Sequence, residues 1–159
     1  MRDGDGLERL WTPWRLAYVA GPDKPSGCPF CEDFEPLLVA RGELVYAVLN
    51  KFPYNPGHLL ICPYRHVPDY TDLTEAEMVE LGQFTQQAMS VIRKVSSAHG
   101  FNIGMNQGSV AGAGIAAHLH QHVVPRWGGD SNFLPVVGGT KALPQLLNDT
   151  RELIRGAWA

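Results

Sequence analysis

The sequence predicts an α+β fold. Three observations carry this: three short apolar, β-prone runs come first, one long amphipathic helix follows, and two further strand-like runs come after it. No βαβ repeat is present, and the order of elements leaves the strand pairing open.

Leu37 to Ala40 and Leu44 to Asn50 are the first two runs, with Arg41-Gly42 between them able to form a tight hairpin turn. Phe52 to Gly57 carries two prolines and a glycine and reads as a loop. His58 to Pro63 reads as a third strand. It does not alternate polar with apolar residues, so both of its faces are expected to be buried. Thr74 to Ala98 is the clearest helix. Thr74 and Glu77 match a capping box, and Met78, Leu81, Phe84, Ala88, Val91 and Val95 recur at spacings that put them on one buried face. Gly100, after His99, is expected to supply the left-handed cap position. Phe101 to Asn106 and Ala116 to Pro125 read as the fourth and fifth strands, joined by a glycine-rich loop from Gln107 to Gly114. Leu143 to Ile154 reads as an amphipathic C-terminal helix with Pro144 in its first turn.

The length of 159 residues fits a single domain over 1–159 with room for a hydrophobic core. Residues 1–27 read as an N-terminal extension whose aromatic stretch Leu10-Trp11-Thr12-Pro13-Trp14-Arg15 is expected to dock on the core or on a second subunit. With 45% apolar and 18% charged residues the balance is that of a soluble globular chain. The formal net charge is −3 and there is no run of Lys or Arg, which argues against a general nucleic-acid groove, so any phosphate must be met by a local site. No stretch is apolar enough to cross a membrane and no secretory signal opens the chain. The odd cysteine count, Cys28, Cys31 and Cys62, suits reduced thiols in the cytoplasm better than a disulfide framework.

The chemistry concentrates in His118-Leu119-His120-Gln121-His122. On a strand this alternation puts three imidazoles on one face. Three buried rings without partners would each be costly, and any charging would make them repel. They call for a metal, for phosphate, or for hydrogen-bonded neighbours. Three in line converge poorly on one tetrahedral ion. Nucleophilic attack on phosphorus by a neutral imidazole is the other reading. The preceding loop favours it, because Gly108, Gly112 and Gly114 let backbone N–H groups approach phosphate closely.

His-x-His-x-His followed by two apolar residues, with Asn50, Pro56-Gly57-His58-Leu59-Leu60-Ile61, Pro63 and His66 upstream, resembles the histidine-triad (HIT) superfamily. The resemblance runs from about Cys28 to Trp127. The Leu10–Arg15 and Pro125–Asp130 stretches look most like its actinobacterial branch, which includes diadenosine tetraphosphate phosphorylases. The resemblance implies a five-stranded antiparallel sheet with one long and one C-terminal helix, and a homodimer with a continuous ten-stranded sheet. It implies a nucleotidyl hydrolase or transferase acting on diadenosine polyphosphates. His120 would form a covalent nucleotidyl-histidine and His122 would contact the phosphates and help the leaving group depart. Asn50 would sit near the ribose or base, Asn106 near the phosphates, and Gly112 and Gly114 would offer backbone N–H groups where many relatives carry a polar side chain. Trp127 would stack on a base or pack. His58 would be structural. Arg126 would pair with phosphate or with a carboxylate. Gln121 replaces the usual apolar spacer and needs a partner on the far face.

Cys28-x-x-Cys31 alone is a redox pair, two packed thiols, or half of a zinc site. Relatives that carry it resemble a Cys-Cys-His-His site, here Cys28, Cys31, His66 and His118, which implies a structural zinc. An AMP–amine phosphoramidase of the Hint type and a non-catalytic nucleotide sensor are the alternatives to the dinucleotide enzyme. The sequence does not distinguish phosphate from water as acceptor, nor the preferred base, the polyphosphate length or a requirement for Mg²⁺ with the substrate.

Overall fold

The computed structural model describes residues 27–32, 34–130, 137 and 143–158. The Leu10–Arg15 aromatics and the rest of the N-terminal extension before Gly27 lie outside the described residues. Five strands form one sheet in the order β1-β2-β3-β5-β4, with β1 at Leu38–Arg41, β2 at Val45–Leu49, β3 at Leu59–Pro63, β4 at Gly100–Gly104 and β5 at Gln121–Arg126. Every neighbouring pair is antiparallel.

Among the described residues the sheet is accompanied by helices α1 (Pro29–Glu32, a single turn), α2 (Glu75–Ser96) and α3 (Leu147–Gly156). On one sheet face Val45, Ala47, Leu49, Leu59, Ile61 and Val123 pack with Leu81, Ala88, Val91 and Ile92 of α2. The residues of opposite parity, Tyr46, Val48, Leu60 and Cys62, form a second cluster with Phe30 and Phe34. This explains why β2 and β3 show no polar–apolar alternation: both of their faces are covered. His122 pairs with Leu60 on one side and Gly104 on the other, so the triad's strand residue lies on the second face, away from α2.

Several boundaries differ from the sequence reading for local reasons. The β1–β2 connection is longer than a tight turn at Arg41-Gly42, because Arg41 stays in the strand and Glu80 of α2 accepts from the backbone N–H groups of Glu43, Leu44 and Val45 at 2.6–2.9 Å. The capping box forms as expected, with both halves present. Glu77, not Met78, takes the inward position: its carboxylate accepts from Arg65, from Thr74 N–H and from the Thr74 hydroxyl, while Met78 is 38% exposed. Phe84 and Val95 are only partly buried, and Ile92 completes the face.

Ser97, at φ 52°, takes the left-handed position that the sequence assigned to Gly100. The early stop frees His99 to donate its N–H to Arg126 O and Gly100 to open β4. Strand β5 starts at Gln121 rather than Ala116, so His118 and His120 precede the ladder. Helix α3 begins at Leu147, which leaves Pro144 outside its first turn. Among the described residues no helix is long and apolar enough to cross a membrane.

Candidate active site

Only His122 of the triad is in the ladder, yet the His120 ring stays beside it. The His120 and His122 centroids are 5.1 Å apart, and Phe30 of α1 contacts both His118 and His120 at 5.5 and 4.9 Å. Tyr46 holds that turn in place by donating its hydroxyl to Phe30 O at 2.6 Å.

Hydrogen bonds fix the tautomers. His120 Nδ1 lies 2.8 Å from His118 O; a carbonyl only accepts, so Nδ1 carries the proton and the lone pair is on Nε2. The ring is 7% exposed. Burial lowers its pKa, partly opposed by the bond to the His118 carbonyl, so the ring stays neutral. His58 is fully buried and receives the Tyr54 N–H on Nδ1 at 3.1 Å, with Asn50 Nδ2 at 3.4 Å from the same nitrogen. Its Nε2 therefore carries a proton and donates to His122 Nδ1 at 2.8 Å. In neutral His122 the proton must then sit on Nε2, which makes that atom a donor. Burial, then the neighbouring His122 and His120, push the His58 pKa down to about 3, consistent with a neutral ring.

The second cluster adjoins the first through His118. Cys28 Sγ and Cys31 Sγ each lie 3.4 Å from His118 Nδ1, and Cys31 Sγ lies 3.4 Å from His66 Nδ1. All four ligand atoms fall within 4.8 Å of one another. The sulfur–nitrogen separations match a tetrahedral zinc edge, about 3.5 Å for Zn–S and Zn–N bonds of about 2.3 and 2.0 Å. His118 Nε2 donates to Pro63 O at 2.8 Å, which leaves the Nδ1 lone pair toward the thiols. Burial, and then Cys28 beside it, raise the Cys31 thiol pKa; a divalent cation would offset that penalty. The donor set therefore fits a metal.

Of the other expected site residues, Asn50 sits at the end of β2 with its Oδ1 accepting from Phe52 N–H, and Asn106 shares a groove with His122. Gly108 and Gly112 have positive φ, 80° and 85°, around a 3-10 turn at Ser109–Ala111. The Gly112 N–H donates to Ser109 O within that turn, so in this conformation it is not turned toward phosphate. Gly114 follows on the same loop before His118. Trp127 does not share the triad's face. Its indole N–H donates to Ser96 O at 2.9 Å and its ring packs on the α2 side, beside a cavity of about 570 Å³ between α2 and α3. Packing, rather than base stacking, is what this position provides. Gln121 finds its far-face partner in Thr85, whose hydroxyl accepts from Gln121 Nε2 at 2.6 Å and donates to Leu81 O.

Three contributors were not assigned to the site from sequence. His58 orients His122, Phe30 covers His120, and Tyr54 stacks nearly parallel on His122 at 5.7 Å and 14°. The Phe between the two cysteines and the Tyr ahead of Pro56-Gly57 were the available signals.

A neutral, buried imidazole with a fixed free nitrogen, beside a second one held as a donor, is chemically able to act as a nucleophile. The chain belongs to the HIT family: the HIT domain model matches residues 35–129. A Mycobacterium tuberculosis protein named AP-4-A phosphorylase is 53% identical over 98% of this chain and 86% of its own length. A Schizosaccharomyces pombe bis(5'-nucleosyl)-tetraphosphatase (asymmetrical) is 41% identical over 54% of this chain and 47% of its own. Among solved structures, a zinc-bound histidine triad family protein from Mycobacterium smegmatis superposes with a TM-score of 0.68 at 26% identity, covering 83% of this chain and 93% of that one.

Proposed function

We propose that this chain is a diadenosine tetraphosphate phosphorylase acting through a covalent nucleotidyl-His120. The observation that carries the chemistry is the His120 Nδ1–H bond to His118 O, which leaves Nε2 as the nucleophile. The similarity to the mycobacterial AP-4-A phosphorylase across nearly the whole chain supports the substrate and the acceptor.

In the first displacement, the Nε2 lone pair bonds to the α-phosphorus and the bond to the bridging oxygen breaks. ATP departs, assisted by the Nε2–H of His122. In the second, an oxygen of inorganic phosphate attacks the same phosphorus, the P–N bond breaks, and ADP leaves with His120 regenerated. Two in-line displacements give net retention at phosphorus. Asn50, beside His58, would contact the ribose or base, and Asn106, which shares a groove with His122, the phosphates. Gly112 and Gly114 contribute only if the loop turns its N–H groups inward. Zn²⁺ is the metal proposed for Cys28, Cys31, His66 and His118, in line with the zinc-bound structural neighbour. There it would neutralise the thiolates and tie α1 to the segment just ahead of β5 that carries His118 and His120. The three free cysteines suit a cytoplasmic setting. The open β4 edge suits a homodimer with a ten-stranded sheet.

His120→Asn is the direct test. It should keep nucleotide binding, lose about 10³-fold or more in kcat, and leave no adenylylated protein in a rapid-quench mass spectrum. Turnover at the parent rate would remove His120 from the nucleophile's role.

A further inference from the structure

The two displacements use one end of a longer feature. A groove of about 440 Å³ starts at His122 and follows β4 and β5 away from His120. On β5 its face is set by His122, Val124 and Arg126, which alternate on the triad's side of the sheet, so the groove extends about 13 Å from His122 to Arg126 at strand rise. On β4, Asn102 stands opposite Val124 and Gly104 opposite His122. A Cβ at Gly104 would meet nothing within 4 Å, so the floor beside His122 is open.

The far end is built. Arg126 donates from Nε and Nη2 to the two carboxylate oxygens of Asp130 at 2.6 and 2.9 Å, and from Nη1 to Asn102 Oδ1 at 2.8 Å. Asp130 is held in turn by Asn55 Nδ2 at 2.8 Å, which also donates to Pro125 O. Three of the five guanidinium N–H donors are engaged within the described residues, and the side chain is still 44% exposed. A guanidinium fixed on two sides with donors remaining is preorganised for an acceptor-rich ligand. Because Asp130 offsets its charge, it is a directed donor rather than a bare cation.

In an in-line displacement the leaving group departs on the side opposite the nucleophile. With His120 as nucleophile and His122 next along the same face, that side is the groove. We propose that the groove holds the departing nucleoside polyphosphate, its proximal phosphates over Gly104 and Asn106 and its distal nucleotide reaching Asn102 and Arg126. This rests on the catalytic reading above and adds a selection rule. A dinucleotide fills the groove, whereas an amine or a single phosphate leaves it to water, so Arg126 selects the long leaving group.

Binding separates this inference from catalysis. In the His120→Asn protein, dissociation constants are measured for diadenosine tetraphosphate and for AMP, which stands for the half held at the triad. The dinucleotide should bind more tightly. Adding Arg126→Met should weaken it about tenfold while AMP changes less than about twofold. Asn102→Ala, on an exposed edge strand, should act in the same direction and decides the matter should Arg126→Met not fold. Equal weakening of both ligands, no weakening of either, or a parent that binds both alike would overturn the groove assignment. Turnover by the unaltered chain is read separately. A chain that binds with this selectivity and never turns the dinucleotide over would remove the catalytic reading and leave the groove standing.

Discussion

His120 donates its Nδ1–H to the carbonyl of a residue only two positions away, so the tautomer of this proposed nucleophile is set by local backbone. His122 is set from a distance, by His58, 64 residues earlier in the chain. The sequence spacing displays the first relation and hides the second, which exists only because β3 and β5 are neighbours. Trp127 was readable by another route. It lies five residues after His122, and a period of two places it on the opposite face, where the structure has it.

His58 also has a stability consequence. Its folded pKa of about 3 lies below the unfolded value near 6.5, so between those values the unfolded chain binds the extra proton. Stability is therefore intact above pH 6.5 and falls as the pH drops below it, by up to about 1.4 kcal/mol per pH unit from this residue. Burial lowers the pKa values of His118 and His120 as well, so they act in the same direction. Urea titrations of the parent and of His58→Phe from pH 7 to 4.5 should show the shallower slope in the variant. Equal slopes would mean that His58 is not held neutral in the fold.

At the scale of elements, the capping box of α2 and the buried runs of β2 and β3 were legible because each is written in contiguous residues. The ends decided by tertiary contact were not. The stop of α2 at Ser97 goes with the His99–Arg126 pairing, and Glu77 rather than Met78 turns inward, where Arg65 reaches it. The one-turn helix α1 has no core of its own. Its place comes from the Tyr46 bond to Phe30 O, the Phe34–Tyr46 stack at 4.2 Å, and the Cys28–Cys31 cluster with His66 and His118. Replacing Cys28 and Cys31 with Ser should remove about one zinc per chain in elemental measurement and lower the melting temperature by several degrees. Full zinc retention in the double variant would place the metal elsewhere.

At the scale of the molecule, β1 is the edge beside α3, while β4 is the other edge, with Asn102, Ile103 and Gly104 exposed. An exposed edge carrying a half-exposed Ile103 offers backbone groups that a second copy could pair with, the basis of the proposed dimer. Sedimentation should give a dimer for the parent and a shift toward monomer for Ile103→Lys. A parent that stays monomeric at high concentration would exclude the ten-stranded sheet.

In the proposed reaction His120 passes an adenylyl group from the phosphoanhydride of diadenosine tetraphosphate to inorganic phosphate. Diadenosine tetraphosphate incubated with the protein, with and without inorganic phosphate, reads it directly by product chromatography. ADP and ATP appearing only when phosphate is present is the predicted result. AMP and ATP formed at the same rate without phosphate would contradict it and make water the acceptor.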